Sequence, residues 1–290
     1  MERVSLRAYA KINLGLDITG KRADGYHLLK TVMQTIDISD GITVTKDPAG
    51  QKEEIRITSD SAALPADPSN IAWKAAAALK KKYEIKTPVL IDIEKNIPMA
   101  AGLGGGSADG AAVLKALNGL FGLKAEEKDL EEIAAGLGAD VPFCLRKGLC
   151  LCEGIGEILT PLPALEGVWA VIIKPVFDVS TKWCYGEFDR LGRVSHPDME
   201  GEVKAIRSGD LSLMCARMGN VLEQACAKAH PEIEKIKEEM VCQGAEVSCM
   251  SGSGSTVFGL FKDKGRAGEA LEYFKNKNCF EKVFLTGFVY

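Results

Sequence analysis

The sequence predicts a two-domain chain of the α/β (α+β) class, and three observations predict it. Residues 88–94, PVLIDIE, are apolar and β-branched, and PMAAGLGGGSADGAA (98–112) follows, so the local plan is strand, glycine loop, helix. Residues 4–18 are apolar at every second position, the period of a long strand or of two strands continuing through a bend. The last third reads as helices followed by strand, strand, helix, strand, which suggests an α+β sandwich around an antiparallel sheet. Between the halves stands TPLPALEG (160–167), whose two prolines mark a connection. With 290 residues the chain has room for two cores, at 1–162 and 163–290.

Composition narrows the function classes. Hydrophobic content of 46% and charged content of 26% describe an ordinary globular chain. A net charge of −4 argues against a protein that coats nucleic acid. MERVSLRAYAKINLGLDI carries charges throughout and has no apolar signal core, and no run of 18 apolar residues exists to span a membrane. The nine cysteines are scattered without a C-x-x-C pair, and there are only three histidines. That argues against a structural zinc site and for buried, reduced thiols in a cytoplasmic protein.

In chain order, the first strand puts Lys11 and Asn13 on one polar face. On spacing alone this is a solvated face with an ordinary surface lysine. Asp24-Gly25 is a hairpin-turn signal, and Tyr26 and His27 stand at its exit. Tyrosine offers a stacking face and histidine a hydrogen-bonding edge; the two fit a packed turn equally well. Residues 31–45 alternate again, with Asp40-Gly41 as a turn, and 54–59 is a short strand. Asp67-Pro68-Ser69-Asn70 reads as a helix start, with Ile71, Ala75, Leu79 and Tyr83 at helical spacing and a solvated run Lys80, Lys81, Lys82 near the end.

The glycine loop places Gly102, Gly104, Gly105 and Gly106 in five positions. Glycine admits positive φ and close approach of another group. Ser107 is a good N-cap, and Asp109 suits the positive end of a helix dipole. Loop N–H groups aimed at one point make an anion site, for which a nucleotide polyphosphate is the obvious guest. Neither GxxxxGK[ST] nor GxGxxG fits: no lysine lies between Lys95 and Lys115, and Ser107 stands where the third glycine should be.

An acidic-headed helix is expected at 125–137, closed by Gly136 and Gly138, then Asp140 in the turn before Val141-Pro142. By itself Asp140 reads as a turn cap. Residues 148–157 look like a strand entering a glycine turn, and 168–174 is a continuous apolar strand. Helices are expected at 210–218, 221–229, 233–243 and 267–276, and strands at 247–250, 256–261 and 281–289. SGSGS (251–255) is either a hairpin turn or a second backbone contact to a substrate.

AYAKINLGLDITGKRADGYHLL, PMAAGLGGGSADGAA and GADVPFCL together resemble the GHMP kinase superfamily, and SGSGST resembles its third glycine motif. The resemblance covers residues 5–260. K-I-N-L-x-L followed by D-G-Y-H is the more specific part, and resembles the branch that phosphorylates a cytidine-diphosphate-linked methylerythritol. It implies an N-terminal α/β domain, a ferredoxin-like C-terminal α+β domain, and an active site between them. By resemblance the loop Pro98, Met99, Ala100, Ala101, Gly102, Leu103, Gly104, Gly105, Gly106, Ser107 and Ala108 wraps the ATP phosphates, and Lys95 lies near the nucleotide base. Lys11 and Asp140 match the catalytic pair, Asn13 a polar neighbour, and Tyr26 and His27 the residues that stack on and hydrogen-bond cytosine. Tyr185, with Thr181 nearby, is the candidate second aromatic wall. The expected cofactors are ATP and Mg2+, with Ser107 as the candidate magnesium ligand. The partner is a small-molecule substrate, with no nucleic acid and no membrane. A related kinase for mevalonate, homoserine or a sugar would have no reason to carry Tyr26-His27 as a base clamp. A non-catalytic nucleotide-binding regulator would have no need of Lys11 and Asp140.

Overall fold

The computed structural model describes residues 2–47 and 54–290. In chain order the elements are β1 (Arg3–Lys21), β2 (His27–Lys46), β3 (Ile55–Ser59), α1 (Ile71–Lys82), β4 (Val89–Glu94), α2 (Gly105–Phe121), α3 (Glu127–Leu137), α4 (Val141–Arg146), β5 (Leu149–Glu153) and β6 (Ile158–Pro161). There follow β7 (Trp169–Pro175), α5 (Thr181–Phe188), α6 (Met199–Ser208), α7 (Leu211–Arg217), α8 (Glu223–Ala229), α9 (Glu232–Cys242), β8 (Val247–Met250), β9 (Val257–Phe261), α10 (Lys264–Asn276) and β10 (Phe280–Gly287). They form two compact units, each assembled from separate stretches of chain. One comprises Met1–Ala10, Ile38–Ile97 and Gly104–Arg146, the other Lys11–Asp37, Pro98–Leu103 and Lys147–Tyr290.

In the first unit β3 runs parallel to β4, and β4 pairs antiparallel with β2 from Gly41↔Glu94 to Lys46↔Val89. Helix α1 begins at Asn70, whose side chain accepts from the Ala72 N–H. Ala75 and Leu79 of the expected stripe are buried, together with Ala72 and Ala76, whereas Ile71 is half-buried and Tyr83 is the C-cap. Helix α2 packs against α1 through small residues. A Cβ on Gly110 would lie 2.7 Å from Ile71 Cγ2, so the close approach requires glycine there.

In the second unit the antiparallel sheet has the order β10-β7-β9-β8, and α9 and α10 cover it. Ile233, Ile236, Met240, Ala267, Ala270 and Phe274 from the helices meet Val171, Ile173, Val257 and Phe261 from the strands in one apolar core. The same unit holds the first part of β2, which pairs with β5 from Thr31↔Cys152 to Gln34↔Leu149, and β5 pairs with β6.

Several expectations are corrected. The polar face of β1 is solvated only near its start; from Ala10 to Ile18 both faces are buried. Asp40-Gly41 is no turn. It lies within the continuous β2, because the Asp40 carboxylate is taken up by Lys95 and by backbone N–H groups distant in sequence. Lys80 leaves the solvated run: it is 4% exposed, donates to the Thr87 carbonyl at 2.5 Å, and burial lowers its pKa. Thr160 and Pro161 of the expected connection belong to β6, which sits at the β5 edge where a proline costs no ladder bond. Gly136 lies inside α3, and only Gly138 closes it. The six-residue α4 carries too few turns for a periodic signal to show. Of the nine cysteines, expected to be buried, Cys242 and Cys279 are exposed.

Candidate active site

The second unit contains a buried polar cluster built on β1. Lys11 is 4% and Asn13 2% exposed. Lys11 Nζ donates to Asn13 Oδ1 at 2.7 Å, Asn13 Nδ2 donates to Thr31 Oγ1 at 2.8 Å, and the Thr31 hydroxyl donates to the Gly15 carbonyl at 2.6 Å. The ammonium can only donate, so this relay fixes the amide orientation of Asn13. Burying a cation is costly unless acceptors meet it, so the strand holds Lys11 in place for a reason other than packing.

Two glycine-bearing loops close around this cluster. The Lys11 N–H donates to the Leu103 carbonyl at 3.0 Å. Ser251 Oγ donates to the Gly102 carbonyl at 2.9 Å and accepts from the Asn13 N–H at 3.3 Å. Gly102 adopts φ 73°, and a Cβ there would lie 2.1 Å from the Ser251 carbonyl oxygen. Only glycine meets both demands. A Cβ on Gly252 would lie 3.2 Å from Asn13 Oδ1 and 3.5 Å from Lys11 Nζ. Asn220 holds this second loop from behind, its amide donating to the Met250 and Gly252 carbonyls. Thus SGSGS does connect antiparallel β8 and β9 as a hairpin, and it also packs on the first glycine loop. In that first loop Pro98, Ala101 and Leu103 are buried, while Met99 and Ala100 are exposed.

In the first unit the loop turns into α2. Gly104 is the N-cap, at φ 69°, and Ser107 is the third residue of the helix instead of its cap. Glycine in the left-handed region makes the turn three residues earlier than a cap at Ser107 would. No side chain caps α2. The N–H groups of Gly105, Gly106 and Ser107 belong to a first turn that has no intrahelical acceptor for them. They are the chemical basis of an anion site.

Asp109 does not serve the helix dipole as expected. It is 1% exposed and pairs with Lys95 Nζ at 3.0 Å; Lys95 also pairs with the fully buried Asp40. Asp40 further accepts from the Asn96 and Ile97 N–H groups at 2.6 and 2.8 Å. Burial pushes the Asp109 carboxyl up to about 7 in spite of Lys95. Burial works against the Lys95 ammonium, and the two carboxylates together hold its pKa above the usual value. Lys95 therefore braces the start of α2, where a Cβ on Gly105 would lie 3.5 Å from its Nζ. Asp140, half-buried, opens α4 with its carbonyl accepting from the Cys144 N–H, and Pro142 falls in the first turn, where its missing N–H costs nothing.

Tyr26 and His27 belong to the second unit. The turn closes through Arg22 N–H to the Tyr26 carbonyl at 2.7 Å, with Gly25 at φ 90°. Tyr26 is 62% exposed, so its ring stands in solvent. The His27 ring lies 5.0 Å from Tyr185 and 6.3 Å from Phe188, and its Nε2 meets Asp189 Oδ1 at 2.7 Å. Thr181 opens α5 and bonds Ser253 Oγ at 3.0 Å. Sequence reasoning missed Thr31, Asp40, Asp189 and Asn220. Their partners lie far along the chain, and none carries a local signal.

Residues 70–148 match the GHMP kinases N terminal domain and residues 203–279 the GHMP kinases C terminal domain. The chain is 45% identical over 282 residues to 4-diphosphocytidyl-2-C-methyl-D-erythritol kinase of Acetivibrio thermocellus, covering 97% of this chain and 98% of that one. A crystal structure of 4-(cytidine 5'-diphospho)-2C-methyl-D-erythritol kinase matches with a TM-score of 0.80 at 30% identity, covering 98% of this chain and 99% of that one. A homoserine kinase from Cytophaga hutchinsonii also reaches a TM-score of 0.80, at 23% identity, covering 99% of this chain and 95% of that one. The chain belongs to the GHMP kinases, and within them to the family of the 4-diphosphocytidyl-2-C-methyl-D-erythritol kinases.

Proposed function

We propose that this kinase transfers the γ-phosphoryl group of ATP to the 2-hydroxyl of 4-diphosphocytidyl-2-C-methyl-D-erythritol, in the supply of isoprenoid precursors. The observation that carries the reading is the 45% identity to a relative of that name over nearly the whole of both chains. The fold does not choose the substrate, since a homoserine kinase superposes equally well.

The proposed roles follow from the chemistry of each group. Phosphoryl transfer needs little covalent help from the protein and much positioning and charge stabilisation. The N–H groups of Gly105, Gly106 and Ser107 would hold phosphate oxygens. Lys11 would neutralise charge on the moving group, its ammonium aimed by Asn13. Asp140 would orient the attacking hydroxyl and take its proton. Tyr26 and Tyr185 would stack on the cytosine and His27 would bond its edge, with Thr181 beside them. Lys95 would act near the nucleotide through its hold on α2. Among the described residues no group of three or more His, Cys, Asp or Glu could hold a metal. Magnesium would arrive on the nucleotide phosphates and needs one or two protein oxygens at most, Ser107 being the candidate. The ion would offset phosphate charge when bound. The site as proposed is that of a cytoplasmic enzyme that acts on a small molecule.

ADP release by the purified protein, measured across diphosphocytidyl-methylerythritol, mevalonate, homoserine and galactose, tests the reading. Turnover is expected with the first substrate alone. Comparable turnover with any of the others would overturn it.

A further inference from the structure

Asp189 stands where α5 ends, outside every motif in the sequence, and its carboxylate receives two donors. Lys21 Nζ, from the end of β1, reaches Oδ2 at 2.5 Å, and the His27 ring reaches Oδ1 at 2.7 Å. These two bonds, Lys21 first, hold the Asp189 carboxyl below the usual carboxylate range, so it is ionised and can only accept. The ring nitrogen that meets it must therefore carry a proton, and that nitrogen is Nε2. Tyr185 on one side and Phe188 at the ring edge restrict how the imidazole can turn, and its side chain is only 11% exposed. With Nε2 committed as a donor, the neutral ring presents Nδ1 as an acceptor.

We infer that Asp189 is a positioning and specificity-determining residue: it fixes the Nε2–H tautomer of His27 and so presents Nδ1 as an acceptor for an amine on the substrate's base. This rests on the reading of His27 as a base reader. Cytosine offers an exocyclic amine as donor. Uracil has a carbonyl in its place, which would set acceptor against acceptor. Stacking on Tyr26 or Tyr185 cannot make that distinction, because every base has a π-face. Lys21 completes the device. It meets the second carboxylate oxygen, leaving the first for the imidazole.

The test has a spectroscopic arm and a kinetic arm, on the unmodified enzyme, Asp189→Ala and Asp189→Glu. Long-range 1H–15N spectra report which nitrogen of His27 is protonated, without any substrate. Nε2 should carry the proton in the unmodified enzyme, the tautomers should mix in Asp189→Ala, and Asp189→Glu should restore the Nε2–H form. In the kinetic arm, the ratio of kcat/KM for the cytidine conjugate to that for its uridine analogue should fall about tenfold in Asp189→Ala, the loss expected when one edge contact no longer discriminates. The change should lie in KM, with kcat little moved. An unchanged tautomer in Asp189→Ala, or an unchanged ratio, would overturn the inference. If the unmodified enzyme used neither conjugate, the function reading would fail and take the specificity half with it, while the spectra would still decide the tautomer. Asp189 is exposed at a helix end, so the variants should fold.

Discussion

Lys11 is a charged residue that β1 could have carried on its exposed half, where Arg3 and Arg7 stand. It lies instead in the stretch buried on both faces, and the relay Lys11–Asn13–Thr31–Gly15 holds it there. A lysine held in this way is costly, and its proposed return is charge stabilisation in the transition state, where a fixed cation acts without reorganising. Lys11→Ala and Asp140→Asn are each expected to lower kcat on the order of a hundredfold or more, the range for a positioned acid–base or charge-stabilising group. ATP affinity, read by titration, should change far less. Near-normal turnover of Asp140→Asn would leave Asp140 as the residue that opens α4 and nothing more.

Among the elements, the glycine loop shows the difference between a glycine needed for its backbone angle and one needed for its lack of a side chain. Gly122, closing α2, takes φ 58° with open space where a Cβ would go. Gly102 takes φ 73° and would also drive a Cβ to 2.1 Å from the Ser251 carbonyl oxygen. Gly122→Ala should therefore cost only left-handed strain, about 1–2 kcal/mol. Gly102→Ala should cost clearly more, since the loop must also part from Ser251. Urea denaturation of both variants makes the comparison, and equal losses would mean the loop yields freely. Local signals reached this far: the β4–loop–α2 plan, the Asn70 cap and the alternation of β1 are all written in neighbouring residues. What stayed illegible depends on partners remote in sequence. Asp40-Gly41 looks like a turn because Lys95, which claims the carboxylate, lies 55 residues away. Ser107 looks like a cap because nothing local says that Gly104 will turn first. Asp189 carries no motif at all, and only the folded second unit brings it to His27.

For the whole molecule, the same architecture serves kinases whose names give different substrates, so stability and chemistry are carried by different residues. Glu202, on α6, belongs to the stability side and breaks its rules. It is fully buried, both carboxylate oxygens lack a partner among the described residues, and it packs so tightly on β1 that a Cβ on Gly15 would lie 1.9 Å from Oε2. Burial alone pushes its pKa from 4.5 up to about 8. Around neutral pH the folded protein then keeps a proton that the unfolded chain has released. The folded state binds the extra proton between the two values, so stability falls as pH rises through that window and levels off above it. From this group the slope is about 1.4 kcal/mol per pH unit at most, and other titrating groups add their own. Glu202→Gln keeps the shape and removes the titration. Denaturation of both proteins at pH 5, 6, 7 and 8 should show the unmodified protein losing ground to the variant steadily with pH. Parallel curves would mean that Glu202 holds no proton of its own in the folded state, and that buried water satisfies an ionised carboxylate there.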